Sequence, residues 1–110
     1  MEMEEILKIC KLTKEELKKF YQNIKGIDKT LDHSRAYGTM MNQTRRGLLR
    51  FIGTNIRTME QIKNEFKTEH GQLDYHLSML EQLNYIMNTK TGWKATPRGI
   101  GFLSNAIMGD

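Results

Sequence analysis

Residues 73–97 read LDYHLSMLEQLNYIMNTKTGWKATP, and this stretch decides the predicted fold. Four leucines from Leu73 to Leu83 recur at the three- and four-residue spacing of one helical face. Asn84 can end that helix in a left-handed conformation. Residues 85–89 and 93–95 then read as two strands, joined by a turn at 90–92 whose glycine tolerates positive φ. The stretch therefore predicts a helix followed by a β-hairpin.

Three further helices surround this unit. Residues 43–53 carry apolar side chains at helical spacing and predict a helix that buries Leu48, Leu49 and Ile52. Thr58 and Gln61 form a capping box that opens a helix to about Lys67, and residues 68–70 interrupt it. Thr96 followed by Pro97 predicts the cap and first residue of a last helix running to about residue 107.

The first 42 residues predict additional helices. Thr13 and Glu16 form another capping box, and the apolar stripe behind it ends near Gly26. Residues 1–10 predict a separate short helix, because Lys14 would interrupt one continuous apolar seam. Residues 26–43 are the least informative, with a helix expected from about Ser34. We expect residues 1–42 to form a helical extension that dimerises, and residues 43–110 to form the main domain.

Composition excludes several classes of protein. The chain has 110 residues, a formal net charge of +4 and 38% hydrophobic residues, which is typical of one globular domain. It shows no secretory leader and no apolar run of membrane-spanning length, so a cytoplasmic protein is expected. Its one cysteine, Cys10, and three scattered histidines predict no disulfide and no metal site. No nucleophile–base pair and no glycine-rich phosphate loop is readable, so we expect neither an enzyme nor a cofactor.

The order helix, helix, turn, helix, hairpin, helix is typical of a winged helix-turn-helix, a mostly α fold (α+β) with a small β-hairpin wing. Residues 45–103 resemble archaeal and bacterial ArsR/MarR-type winged-helix transcription regulators. The resemblance is carried by the stretches RGLLRFI at 46–52, LDYHL at 73–77 with LEQLNYI at 80–86, and GWKATPRG at 92–99. It implies a homodimer that binds double-stranded DNA, with a recognition helix at about 71–84 in the major groove and a wing at about 85–96.

On this interpretation the candidate residues fall into three groups. Base-edge or groove contacts are expected from the exposed side of the recognition helix, at Gln72, Asp74, Tyr75, His76 and Met79. Contacts to the DNA backbone are expected from basic residues, at Arg45, Arg46, Arg50, Lys90 and Lys94. The apolar positions near the two ends of the chain fit two interpretations, packing on their own domain or pairing with a second copy. Dimerisation is favoured, at Leu17, Phe20, Tyr21, Ile24, Leu103 and Ile107.

A second interpretation stays open. Residues 57–84 carry five acidic and three basic side chains, a net charge of −2, and Asp74 would repel phosphate unless it accepts from a cytosine amine. A winged-helix adaptor that binds a protein partner within transcription or nucleic-acid machinery would tolerate that charge. His76 and Met79 are equally compatible with packing, and Trp93 is expected in the core at the base of the wing rather than as a stacking platform.

Overall fold

The computed structural model describes residues 1–105, with the side chains of 68–70 left aside. Its described part is mostly helical with a small antiparallel sheet, an α+β arrangement. The helices and strands are α1 (Met3–Ile9), α2 (Lys14–Ile24), α3 (Lys29–Met40), α4 (Gln43–Ile52), α5 (Met59–Glu65), a 3₁₀ helix (Lys67–Gln72), α6 (Leu73–Gln82), β1 (Ile86–Thr89), β2 (Gly92–Ala95) and α7 (Pro97–Asn105).

The predicted helix starts are confirmed at α2 and α5. The Thr13 hydroxyl accepts from the Glu16 amide at 3.2 Å, and the Glu16 carboxylate accepts from the Thr13 amide at 2.9 Å. Thr58 and Gln61 make the same reciprocal pair at the start of α5. These bonds satisfy amides that the first turn of a helix leaves without partners. The separation of α1 from α2 is also confirmed.

Helix α3 is longer than the sequence predicts. It begins at Lys29 instead of near Ser34, because the Asp28 carboxylate accepts from the Leu31 amide at 3.0 Å and caps the first turn. The helix touches the core through one narrow side, where Thr39 and Met40 are buried and Ala36 is partly buried. Most of its remaining surface is exposed and mixed in polarity, so the apolar periodicity is weak.

One hydrophobic core joins the predicted extension to the predicted main domain. Ile6 of α1 and Met40 of α3 belong to the same buried cluster as Leu48, Ile62 and Ile100. Helix α1 packs on α7, and α3 packs on α4. Burial of this shared apolar surface is the main stabilising term that holds the N-terminal helices in place.

The hairpin pairs Ile86 with Ala95 and Thr89 with Gly92. Arg57 adds a single-residue bridge on its other edge: its amide donates to the Trp93 carbonyl at 3.0 Å, and its carbonyl accepts from the Trp93 amide at 2.7 Å. Gly92 has φ of 136°, and a Cβ there would lie 2.7 Å from the Arg57 carbonyl oxygen. The close approach of these backbones therefore requires glycine. Trp93 is partly buried against the core, as predicted.

The chain turns from α6 into the hairpin, and from the hairpin into α7, through a compact junction. Asn84 has φ of 60°, which confirms the predicted left-handed cap. Thr96 confirms the predicted start of α7, because its hydroxyl accepts from the Gly99 amide at 3.2 Å and donates to the Asn84 carbonyl. Gly99 lies so close to the Tyr85 carbonyl that no Cβ would fit there.

Candidate nucleic-acid interface

The leucines of helix α6 pack one side of the helix against the hydrophobic core. Leu73, Leu77 and Leu80 are each at most 1% exposed and lie in the core beside Leu48 and Ile52 of α4. Because side chains of a helix point outward all round, burying this stripe turns the other side of α6 to the solvent. The position of that outer surface is therefore set by packing with α4.

The outer surface of α6 carries four of the five predicted groove residues. Gln72, Asp74 and Tyr75 are exposed, with Tyr75 at 58%, and Ser78 is exposed beside them. Met79 is half-buried at the edge of a cleft between α6 and α3. The surface presents hydrogen-bonding groups of both kinds, namely an amide, a carboxylate and two hydroxyls.

His76 does not belong to that surface, which corrects its prediction as a groove contact. Its side chain is 4% exposed, and its Nδ1 accepts a hydrogen bond from Nε of Arg45 at 3.1 Å. An imidazole held at this depth links α6 to α4 and cannot reach a base edge. The residue is one position along the helix from Tyr75, on the side that turns inward.

The three arginines of the predicted basic cluster on α4 differ in burial and in their hydrogen-bond partners. Arg45 is 9% exposed and lines the cleft beside Tyr75, so the predicted contact of Arg45 with a DNA backbone would have to be made through that cleft. Its Nη1 donates to the Thr39 carbonyl at 3.2 Å. Arg46 is half-buried and donates to the Met40 carbonyl at 2.8 Å, whereas Arg50 is exposed.

The two lysines of the hairpin that were predicted to contact the DNA backbone also differ in exposure. Lys90 is exposed at the turn, but Lys94 is only 3% exposed, and its Nζ donates to Oε1 of Glu16 in α2 at 2.8 Å. The prediction that Lys94 contacts DNA is therefore wrong. The ion pair of Lys94 with Glu16 ties the hairpin to α2.

Charges and burial shift three pKa values. Partial burial alone would raise the pKa of Glu16, but hydrogen bonds from Lys94 and Thr13 outweigh it and hold that pKa below the usual glutamate value. Burial raises the pKa of the Cys10 thiol, whose sulfur lies 3.6 Å from the Ala95 carbonyl oxygen. Burial likewise raises the pKa of Tyr85, against the opposing charge of Arg98.

The predicted dimer residues differ in exposure. Phe20 is 2% exposed inside its own chain, so its prediction as a dimer contact is wrong. Tyr21 is 46% exposed, and Leu17, Ile24 and Leu103 are half-buried. Ile107 lies outside the described residues. Two exposed apolar residues were not among the predicted dimer contacts: Tyr37 of α3, which is 68% exposed, and Met41, which directly follows that helix and is 62% exposed.

Among the side chains that the structure describes, those of residues 1–67 and 71–105, no group of three or more histidine, cysteine, aspartate or glutamate residues is placed to hold a metal ion. The described helices include none with the length and apolar character needed to cross a membrane. No family model, curated protein sequence or solved structure matches the chain.

Proposed function

We propose that the chain is a winged helix-turn-helix protein that binds duplex DNA as a dimer and regulates transcription. In this proposal α5 and α6 are the helix-turn-helix, α6 is the recognition helix, and the hairpin is the wing. The observation that supports it is the polar side of α6, exposed at Gln72, Asp74 and Tyr75 while the leucines anchor the helix. A helix about 10–12 Å across matches the roughly 12 Å width of the major groove.

Each exposed group has a definite role in this proposal. The Gln72 amide can bond adenine on two atoms, and the Asp74 carboxylate can accept from the amino group of cytosine. Lys90 at the exposed turn of the hairpin would neutralise a backbone phosphate, and Arg50, exposed on α4, would contact another. Occupation of an operator by the dimer would then block or recruit the transcription machinery.

The first experiment measures the salt dependence of duplex binding. Duplexes are selected from random-sequence DNA, and their affinity is followed by fluorescence anisotropy across a salt series. The slope of log K against log salt should be about −0.9 for each phosphate neutralised. Lys90→Glu should weaken binding to all duplexes alike, whereas Lys25→Glu, the same charge change at an exposed lysine outside the proposed interface, should have a smaller effect.

A second measurement tests base reading. Gln72→Ala should change the sequence preference of the selected duplexes more than their average affinity, since an amide that reads a base discriminates by about 1–3 kcal/mol. Sedimentation of the free protein and of the complex gives the subunit number. Duplex binding that is absent, or that shows no salt dependence, would overturn the proposal.

The exposed carboxylates favour a second candidate, a winged-helix adaptor for a protein partner. Asp74 and Glu81 both lie exposed on α6, within the net-acidic segment 57–84. An adaptor interface with an apolar centre would change little with salt, unlike a DNA complex. The same salt series therefore separates the two candidates.

A further inference from the structure

A cleft of about 370 Å³ lies between α3 and α6. Gly38 and Thr39 line it from α3, while Tyr75, Met79 and Gln82 line it from α6. Two arginines, Arg35 and Arg45, complete its described lining together with Leu83, and no carboxylate is among these residues. The described lining of this cleft therefore carries two positive charges and no negative one.

The guanidinium of Arg45 is fixed in place within the cleft. Its Nε donates to Nδ1 of His76 and its Nη1 donates to the Thr39 carbonyl, while its Cζ lies 5.3 Å from the centre of the Tyr75 ring. None of these partners carries a negative charge. Among the described residues no carboxylate pairs with this cation, which is nine-tenths buried. Burial deprives it of favourable hydration, and an anion in the cleft would compensate that loss.

Arg35 supplies the second charge at the rim. It is exposed, and among the described residues no side chain forms an ion pair with it. Asp28 and Asp32 line a neighbouring depression with Arg35, but both are engaged elsewhere. Asp28 caps α3, and Asp32 pairs with Arg98 at 2.7 Å.

We propose that this cleft binds the phosphate group of an organic phosphate. A phosphate monoester carries a charge of about −1.5 to −2 at neutral pH, which matches two guanidinium groups better than a carboxylate would. Water occupies about 30 Å³ per molecule, so the cleft has room for an organic group beside the phosphate. Tyr75, Met79 and Leu83 provide the apolar wall against which that group packs.

The phosphate has two possible sources, a free small molecule or the backbone of DNA. The second source rests on the proposed function, because it needs α6 to lie on a duplex. A free ligand in the cleft would contact Tyr75 and Met79, which belong to the proposed DNA interface, and would compete with the duplex for that surface.

The first arm of the test uses phenyl phosphate as the probe, titrated into the isotope-labelled full chain and followed by amide chemical shifts. Saturable shifts should map to α3 and α6, and benzoate should bind more weakly. Arg35→Ala should weaken phenyl phosphate about tenfold, the loss of one charge-assisted contact. Lys29→Ala, an exposed charge on the same helix, should leave it unchanged.

Gly38 offers a second variant that does not depend on removing an arginine. A Cβ at Gly38 would meet no atom within 4 Å, so side chains there fit without a clash. Gly38→Asp should place a carboxylate in the cleft and abolish phenyl phosphate binding, whereas Gly38→Ala should leave it intact. The proposal is overturned if phenyl phosphate gives no saturable shifts in α3 and α6, or if Arg35→Ala and Gly38→Asp bind it like the parent chain.

The second arm distinguishes the sources with a DNA duplex. If the backbone supplies the phosphate, Arg35→Ala reduces the salt slope by about 0.9. If a free molecule supplies it, the slope stays unchanged and phenyl phosphate displaces the duplex. A chain that binds no duplex at all would refute the proposed function, while the first arm would still decide the phosphate site by itself.

Discussion

Replacing Glu16 by Gln should destabilise the protein by about 2–3 kcal/mol, because it leaves the Lys94 ammonium buried without a counter-charge. The Lys94 side chain is 4% exposed and that of Glu16 is 22% exposed. Breaking a fully buried ion pair costs about 3–5 kcal/mol, and an exposed pair contributes about 0–1 kcal/mol. A pair with one buried and one partly solvated partner falls between these limits.

The substitution by glutamine removes the charge of residue 16 but keeps a side chain that can cap the helix. A capping box accepts Gln as well as Glu at this position, so the bond to the Thr13 amide can survive the substitution. Urea unfolding followed by circular dichroism should show a midpoint lowered by roughly 1–2 M. Glu15→Gln, at an exposed position in the same turn, should change the midpoint little. The double variant Glu16→Gln with Lys94→Met should recover most of the stability, because the buried charge is removed.

The pH dependence of this loss follows from the lowered pKa of Glu16. A carboxyl whose folded pKa is below its unfolded value stabilises the native state above the unfolded pKa, near 4.3, and loses that contribution as pH falls through the folded pKa. The difference in free energy of unfolding between the parent chain and Glu16→Gln should therefore be largest near pH 7 and decrease below about pH 4. The reasoning is refuted if Glu16→Gln unfolds within about 0.5 kcal/mol of the parent at pH 7.

Three other predictions follow from the packing. Gly99→Ala should destabilise by more than about 2 kcal/mol in urea unfolding, since its Cβ would overlap the Tyr85 carbonyl, whereas Gly38→Ala should stabilise by about 0.5–1 kcal/mol; equal effects would contradict the contact. Phe20→Ala should lower the free energy of unfolding by about 3–5 kcal/mol at any protein concentration, because Phe20 is buried within its own chain. A loss that depends on protein concentration would instead place Phe20 in a dimer interface. Cys10 should react with iodoacetamide at pH 8 far more slowly in the native than in the urea-unfolded chain, because burial raises its pKa; equal rates would show that the thiol is open.

Local signals in the sequence predicted the helix starts and the hairpin well. Thr13 and Thr58 act through hydrogen bonds that span three residues, and Asn84 acts through its own backbone conformation, so the residues involved are close neighbours in the sequence. The full length of helix α3 was not predicted, because only a narrow side of the helix reaches the core. Gly38 weakened its apolar periodicity further. The Asp28 cap was the one signal in that stretch that could have placed its start.

The errors at the candidate site share one physical origin. Lys94 is paired with a residue 78 positions away, and His76 with one 31 positions away. A lysine in a hairpin and a histidine in a helix look the same in sequence whether they face solvent or a distant partner. Exposure of Gln72, Asp74 and Tyr75 was predictable, because the leucine stripe alone determines which side of α6 turns outward.

Three polar contacts join the elements that carry the proposed interface. Lys94 ties the hairpin to α2 through Glu16, His76 ties α6 to α4 through Arg45, and Arg57 ties the segment before α5 to the hairpin. Each tie is polar and directional, unlike the apolar contacts around it, so it fixes angles between elements as well as distances. Helix α2 is therefore part of the support of the hairpin. A substitution at Glu16 therefore acts directly on the hairpin that carries Lys90.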